Sequence, residues 1–284
     1  MPRLSIRHES VYRFDQPVLF GRWRLLMRPL DTHATRLIEA SLETPPSDIK
    51  WSYDAYGNCV CHLTPQSESD SLIVVSNLIV ERYPSPLNAV RVEGECSASP
   101  ILYSLADRAI LEPYIVPATA DDDPVFIDWL RGHLPDPGEP AVEFLQRFNR
   151  TIQREFSYGV RDAAGTQSPS ETVRMGGGTC RDFAWLMIES LRRLGFAARF
   201  ATGYLYSPGG NVQGAGATHA WCEVFLPEHG WIEFDPTNAL VESFSLIRVA
   251  AARTFAEASP MSGSVNSSAP CRSQVKVEVD LVDP

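Results

Sequence analysis

The chain has 284 residues, 44% of them hydrophobic and 21% charged, with a formal net charge of −10. That length buries a sizeable core, more naturally as two domains than one, and no stretch is biased enough in composition to suggest long disorder. Lys50 and Lys276 are the sole lysines and the arginines are scattered, which excludes the concentrated positive charge that a nucleic-acid partner requires.

No run approaches the roughly 20 apolar residues that span a bilayer, and Met1 to Glu9 lacks the apolar segment of a secretory leader. A soluble, cytoplasmic protein with reduced thiols and no membrane partner is expected. The six cysteines (Cys59, Cys61, Cys96, Cys180, Cys222, Cys271) include no CxxC pair, and no Cys/His grouping has zinc-ligand spacing. Neither a structural metal nor a cofactor is expected.

From Leu4 to about Tyr83 the pattern has period two. Leu4 to Phe14, Arg36 to Glu43, Ile49 to Tyr56, Val60 to Leu63 and Leu72 to Tyr83 read as strands, with a turn at Asp54 to Asn58. Several short strands without helical periodicity predict a β-sandwich-like N-terminal domain over residues 1–115. A proline-punctuated stretch from Pro84 to Pro117 follows. Asp123-Pro124 then opens a short helix to Leu130, and a longer one starts near Pro140 with Val142, Leu145, Phe148, Ile152 and Phe156 on one face. Ser168 begins another helical turn, and Val275 to Val282 alternates as a final strand. Residues 116–284 are therefore expected as an α+β catalytic domain that includes this C-terminal strand.

The most informative segment is Gly176-Gly177-Gly178-Thr179-Cys180-Arg181-Asp182-Phe183. Thr179 as N-cap and Asp182 three residues on resemble a capping box, and Gly195 is placed to end the helix. Cys180 then lies in the first turn, where free N–H groups and the macrodipole favour a thiolate. The three glycines allow close backbone approach to a substrate. Arg181 and Asp182 are expected to cap and to pair at the surface. A lone cysteine fits a small buried hydrophobe equally well, so partners decide the matter.

Thr218 to Phe225 reads as a strand, Pro227 to Gly230 as a turn and Trp231 to Asp235 as the return strand. A thiol nucleophile needs a base, and the base needs a third group to hold its tautomer. His219 and Asp235 fill those roles if they share a face. A four-residue loop with Leu226 opposite Trp231 separates them onto two faces. A three-residue loop with Leu226 opposite Gly230 puts His219 opposite Thr237, with Asp235 its diagonal neighbour roughly 7–8 Å away at the backbone. Gly230 suits the left-handed residue that closes such a loop. Read singly, His219 also fits a hydrogen-bonded strand histidine, and Asp235 before Pro236 a turn initiator. His8, His33, His62, His133 and His229 have no such company.

The runs Gly178 to Ala184, Arg199 to Leu205, His219-Ala220-Trp221 and Trp231 to Thr237 resemble the core of bacterial transglutaminase-like proteins, over about Val142 to Leu240. The N-terminal third resembles the β-rich domain that precedes this core in many bacterial members. The resemblance implies a papain-related α+β fold, with Cys180, His219 and Asp235 as the catalytic triad. It implies attack on an amide carbonyl of a protein or peptide and a thioester intermediate. No calcium-binding loop of the kind used by regulated animal members is evident in the sequence, so metal dependence is not implied. The Cys180 backbone N–H is the expected oxyanion donor, Tyr158 a candidate second donor or a stacking wall, and Trp221 and Trp185 cleft walls or packing behind the site. Hydrolysis, as a protease or deamidase, leads among the implied reactions. Crosslinking by a protein-glutamine gamma-glutamyltransferase and a non-catalytic binding cleft are the alternatives, and the oligomeric state is open.

Overall fold

The structure is a computed structural model that describes residues 2–83, 101–161, 163–209, 212–268 and 270–282. Cys96 and residues 84–100 of the proline-punctuated stretch lie outside the described residues.

The N-terminal part folds as six strands: β1 (Arg3–Val18), β2 (Phe20–Leu25), β3 (Thr35–Glu43), β4 (Ser47–Tyr53), β5 (Cys59–Pro65) and β6 (Ser69–Arg82). Alternation of apolar residues selects the strand state here. Leu4 and Ile6 on β1, and Leu72, Val74, Leu78 and Val80 on β6, are all buried while their sequence neighbours largely face outward. At the β4–β5 turn the Asp54 carboxylate accepts from the N–H groups of Tyr56 and Asn58, and Gly57 supplies the positive φ. β2 carries no clean alternation and was not read as a strand from the sequence.

The core follows with α1 (Leu105–Ile115), α2 (Pro124–Arg131), α3 (Ala141–Glu155), β7 (Ser157–Tyr158), α4 (Pro169–Met175), β8 (Gly177–Gly178) and α5 (Cys180–Arg193). The chain continues through β9 (Ala198–Leu205), β10 (His219–Leu226), β11 (Gly230–Asp235), β12 (Leu240–Val241), β13 (Leu246–Ala252), α6 (Phe255–Ala258), β14 (Met261–Val265) and β15 (Cys271–Val282). Asp123 caps α2 by accepting from Val125 N–H, with Pro124 at the first helical position. α1 has its own N-cap in Ser104, although Pro113 lies inside it. That proline disguises it in the sequence.

Three larger sheets result, ordered β15-β1-β6-β3, β14-β2-β5-β4 and β12-β11-β10-β9-β13. The first two form the sandwich, closed by Phe14, Phe20, Trp23, Leu63, Leu72 and Val74. The third is the core sheet. One of its faces, with Ala220, Cys222, Val224 and Phe234, packs with α5. The other face meets the sandwich, where Leu4, Ile6, Leu78 and Val80 pack on Tyr204, Ile247 and Val249.

The final strand is present, but it pairs in the sandwich and not in the catalytic domain where it was expected. β15 pairs antiparallel with β1 over Arg3↔Val282 to Phe14↔Cys271, and β14 pairs with β2. The C-terminal strands therefore complete the sandwich and add nothing to the core sheet. Alternation in a sequence fixes that a segment is a strand, while the partner depends on which edge is open, and the long edge of β1 is the one available.

Candidate active site

Helix α5 is buried on almost every side: Cys180 and all residues from Asp182 to Arg192 are buried. Its start is set by a fully buried carboxylate. Asp182 accepts from Thr179 N–H at 2.9 Å, Thr179 Oγ1 at 2.8 Å, Gln167 N–H at 2.7 Å and Arg161 Nη2 at 2.8 Å. Burial alone would raise this carboxyl, but the Arg161 guanidinium and the N–H and O–H donors hold it below the ordinary value. The expected surface role of Asp182 is thus corrected. It is an interior acceptor that fixes the turn carrying Cys180. Arg181 donates to the carbonyls of Arg161 and Ala163, as a tie for the same loop.

The three glycines also take a different role from the one expected. Gly176 has φ +63° and ends α4. A Cβ on Gly177 would stand 2.5 Å from Ser157 O, and one on Gly178 2.8 Å from Asp182 Cβ. Close approach is indeed what they provide, but to β7 and to Asp182. The parallel pairing Ser157↔Gly177 and Tyr158↔Gly178 that this permits brings Tyr158 alongside the nucleophile.

On the hairpin, Leu226 stands opposite Gly230, Phe225 opposite Trp231 and Cys222 opposite Phe234. This is the three-residue register, and Gly230 has φ +79°. His219 and Asp235 consequently share a face, and His219 Nε2 lies 2.9 Å from Asp235 Oδ2 with both side chains fully buried. Asp235 Oδ1 accepts from Thr237 N–H and Oδ2 also accepts from Asn238 Nδ2, each at 2.9 Å. His219 Nδ1 has no hydrogen-bond partner among the described residues. Burial works against a charged His219, yet the Asp235 carboxylate and then the Cys180 sulfur outweigh it and raise the imidazole above its ordinary value. The same pairing holds Asp235 below its ordinary value against the effect of its burial.

The structure therefore brings Cys180, His219 and Asp235 together. Tyr158 joins them: a Cβ placed on Gly214 would lie 2.8 Å from His219 Nδ1 and 3.5 Å from the Tyr158 hydroxyl. Burial first, then negative charge on Cys180 and Asp235, pushes that phenol up to about 12, so it remains a donor. Trp221 is fully buried with its ring 6.2 Å from that of His219, near-parallel to it. It packs behind the histidine with Leu205 and Leu246, the second of the two placements expected for it. Trp185 packs on Phe200 and Arg192.

Asn238 and Gly214 were not singled out as site residues from the sequence. Asn238 is the fourth residue of Asp-Pro-Thr-Asn, a run whose turn chemistry masks its contact with Asp235. Gly214 lies in a loop with no periodicity. Among the described residues no group of three or more His, Cys, Asp or Glu is placed to hold a metal ion, and no helix is long and apolar enough to cross a membrane. A cleft of about 460 Å³ lies elsewhere, between the sandwich and the core sheet, lined by Arg82, Arg199, Glu223, Glu233 and Arg248. The site just described does not open into it.

Comparisons with known proteins agree with this architecture. The whole chain superposes on a crystal structure from Cytophaga hutchinsonii, provisionally named a cysteine protease, with TM-score 0.77 at 20% identity, covering 100% of this chain and 91% of that one. An uncharacterized protein of Mycobacterium tuberculosis, Rv2569c, is 27% identical over 297 residues, covering 99% of this chain and 92% of the relative. A protein-glutamine gamma-glutamyltransferase of Pseudomonas aeruginosa is 32% identical over 120 residues, 39% of this chain and 17% of that protein. Residues 133–236 match the transglutaminase-like superfamily core, and residues 4–81 match the bacterial transglutaminase-like N-terminal region. With well over half its length in these two matches, the chain belongs to the transglutaminase-like superfamily and carries the N-terminal region of its bacterial members.

Proposed function

We propose that this protein is an acyl-transfer enzyme that uses Cys180 as nucleophile on amide bonds of proteins or peptides, with water as the usual acceptor. One observation carries the reading: a cysteine at a helix start beside a histidine whose far nitrogen is held at 2.9 Å by a buried aspartate. A histidine oriented in this way directs its remaining nitrogen at the thiol.

In this reading the Cys180 sulfur attacks the carbonyl carbon as its proton passes to His219 Nδ1. The oxyanion is met by the Cys180 N–H, a first-turn donor without an intrahelical acceptor, and by the Tyr158 hydroxyl. Collapse breaks the C–N bond. The amine leaves with the proton from His219, and a thioester remains. Water, deprotonated by His219, then attacks the thioester to release the acid and restore the thiol. Asp235 keeps the ring oriented and stabilises its charged form throughout.

Hydrolysis is supported by the provisional name of the Cytophaga hutchinsonii structure. The match to a gamma-glutamyltransferase supports a second reading, in which a primary amine replaces water and proteins are crosslinked. The cysteines Cys59, Cys61, Cys180, Cys222 and Cys271 are all free, which supports a reducing, cytoplasmic location. Mass spectrometry on a mixed peptide library, with and without a primary amine, separates the outcomes. Backbone cleavage or loss of ammonia is expected, and Cys180→Ala abolishes it. Amine incorporation as the dominant product would favour the second reading. Unchanged turnover in Cys180→Ala would end both.

A further inference from the structure

The loop that joins β9 to β10 returns across the site. Gly214 has φ +86°, and its backbone is so near the imidazole that a Cβ would lie 2.8 Å from His219 Nδ1 and 3.3 Å from Cε1. A residue other than glycine at this position would press on the nitrogen that faces the thiol. Two attachments hold the loop there. The Gln213 N–H donates to Asn238 Oδ1 at 2.8 Å, and the Gln213 carbonyl accepts from Asn238 Nδ2 at 3.1 Å. Beyond Gly214, the Gly216 carbonyl accepts from Val277 N–H at 2.9 Å, a contact with β15.

Asn238 faces two ways. Its Nδ2 donates to Asp235 Oδ2 at 2.9 Å, the same oxygen that His219 Nε2 approaches at 2.9 Å. A primary amide has two N–H donors and one carbonyl acceptor. All three are used here, one donor toward the aspartate and the other two functions on the backbone of Gln213. An alanine makes none of these bonds, and an aspartate keeps only the acceptor.

We propose that Asn238 is a positioning residue for the Cys180–His219–Asp235 group. It fixes the direction of the Asp235 carboxylate, and through Gln213 it fixes how closely the Gly214 backbone covers His219 Nδ1. One side chain thereby sets both the orientation of the base and the width of the approach to it. The inference deepens the acyl-transfer reading and rests on it. Loss of the amide frees the carboxylate to rotate and lets the loop lift, so catalysis falls while the thiol becomes easier for a bulky reagent to reach. An aspartate at the same place repels Asp235 but adds negative charge near the imidazole, which favours its protonated form.

The test compares wild type, Asn238→Ala and Asn238→Asp in the full chain. Turnover is measured on a peptide amide, labelling of Cys180 by iodoacetamide and by N-ethylmaleimide is followed by intact mass across pH, and thermal unfolding is recorded. Asn238→Ala is expected to lower kcat about ten- to a hundredfold, the scale of one hydrogen bond to a charged group. Its ratio of maleimide to iodoacetamide labelling is expected to rise. Asn238→Asp is expected to move the alkaline limb of the labelling profile to higher pH. An asparagine with a structural role alone would lower thermal stability and leave both the ratio and the profile unchanged. That result, or variants that superimpose on wild type, overturns the inference. If wild type turns over no amide while the labelling changes occur, the acyl-transfer reading fails and the positioning role stands. If wild type is active and the variants match it, the reverse holds.

Discussion

Neither oxygen of Asp235 faces solvent: one takes the Thr237 N–H, the other is shared by His219 and Asn238. A carboxylate so fully engaged holds the histidine in one orientation, and replacement by an amide removes both the charge and the certainty of which atom faces Nε2. Asp235→Asn is expected to lower kcat by on the order of 10³ to 10⁴, the scale seen when a triad loses its orienting carboxylate. Because Asp235 raises His219, the alkaline limb of the rate profile is also expected to move down toward the ordinary histidine range. A rate profile across pH checks both. Tyr158→Phe keeps the ring and removes one donor. It is expected to lower kcat by roughly 10² to 10³ with KM nearly unchanged, as for loss of one oxyanion donor. An unchanged kcat would leave Tyr158 a packing role alone.

At the scale of elements, α5 shows how charged residues serve inside a buried helix. Glu189 and Arg192 pair at 3.0 Å with both side chains fully buried. Glu189 also accepts from Ala118 N–H, Thr119 N–H and Thr119 Oγ1, while Arg192 donates to the carbonyls of Tyr114, Ala198 and Arg253. The pair ties the segment after α1 to the central helix. Glu189→Leu leaves Arg192 unpaired and is expected to cost about 3–5 kcal/mol in denaturant unfolding, as for one partner lost from a buried pair. The helix start at Cys180 was legible, because Thr179 and Asp182 have capping spacing. The hairpin register was legible too, since strand parity and Gly230 leave one arrangement that puts His219 and Asp235 on the same face. Asp182, Glu189 and Arg192 were not readable as interior groups, because a charge reveals its burial only through partners distant in sequence. α1, β2, β13 and β14 carry weak sequence signals for related reasons: an interrupting proline in α1, and short runs whose alternation is imperfect in the strands.

For the whole molecule, the decisive arrangement is a core sheet covered by α5 on one face and by the sandwich on the other. His8 lies at that second boundary. Its Nδ1 is 3.1 Å from the Tyr204 hydroxyl and its Nε2 2.9 Å from Ser10 Oγ, and burial lowers it to about 4. The folded value is below the unfolded value of about 6.5, so the neutral ring's contribution is fully present above pH 6.5 and is lost as pH falls through 4. The difference corresponds to about 3 kcal/mol. Wild type is expected to lose that much unfolding free energy on this account between pH 7 and the acid side, and His8→Gln is expected to lack that share of the loss. Denaturant titrations at pH 7, 5.5 and 4 measure it.

The pairing of Arg3 with Val282 and of Phe14 with Cys271 sets a schedule for the growing polypeptide. β1 leaves the ribosome well before its partner β15, and at ordinary elongation rates that interval is on the order of tens of seconds. Throughout it, the edge of β1 stands open to any other strand nearby. The same late strand supplies the Val277 N–H that holds Gly216. A chain still in synthesis therefore has its thiol, imidazole and carboxylate in hand before the loop across them is fastened, and completion of β15 is the event that finishes the site.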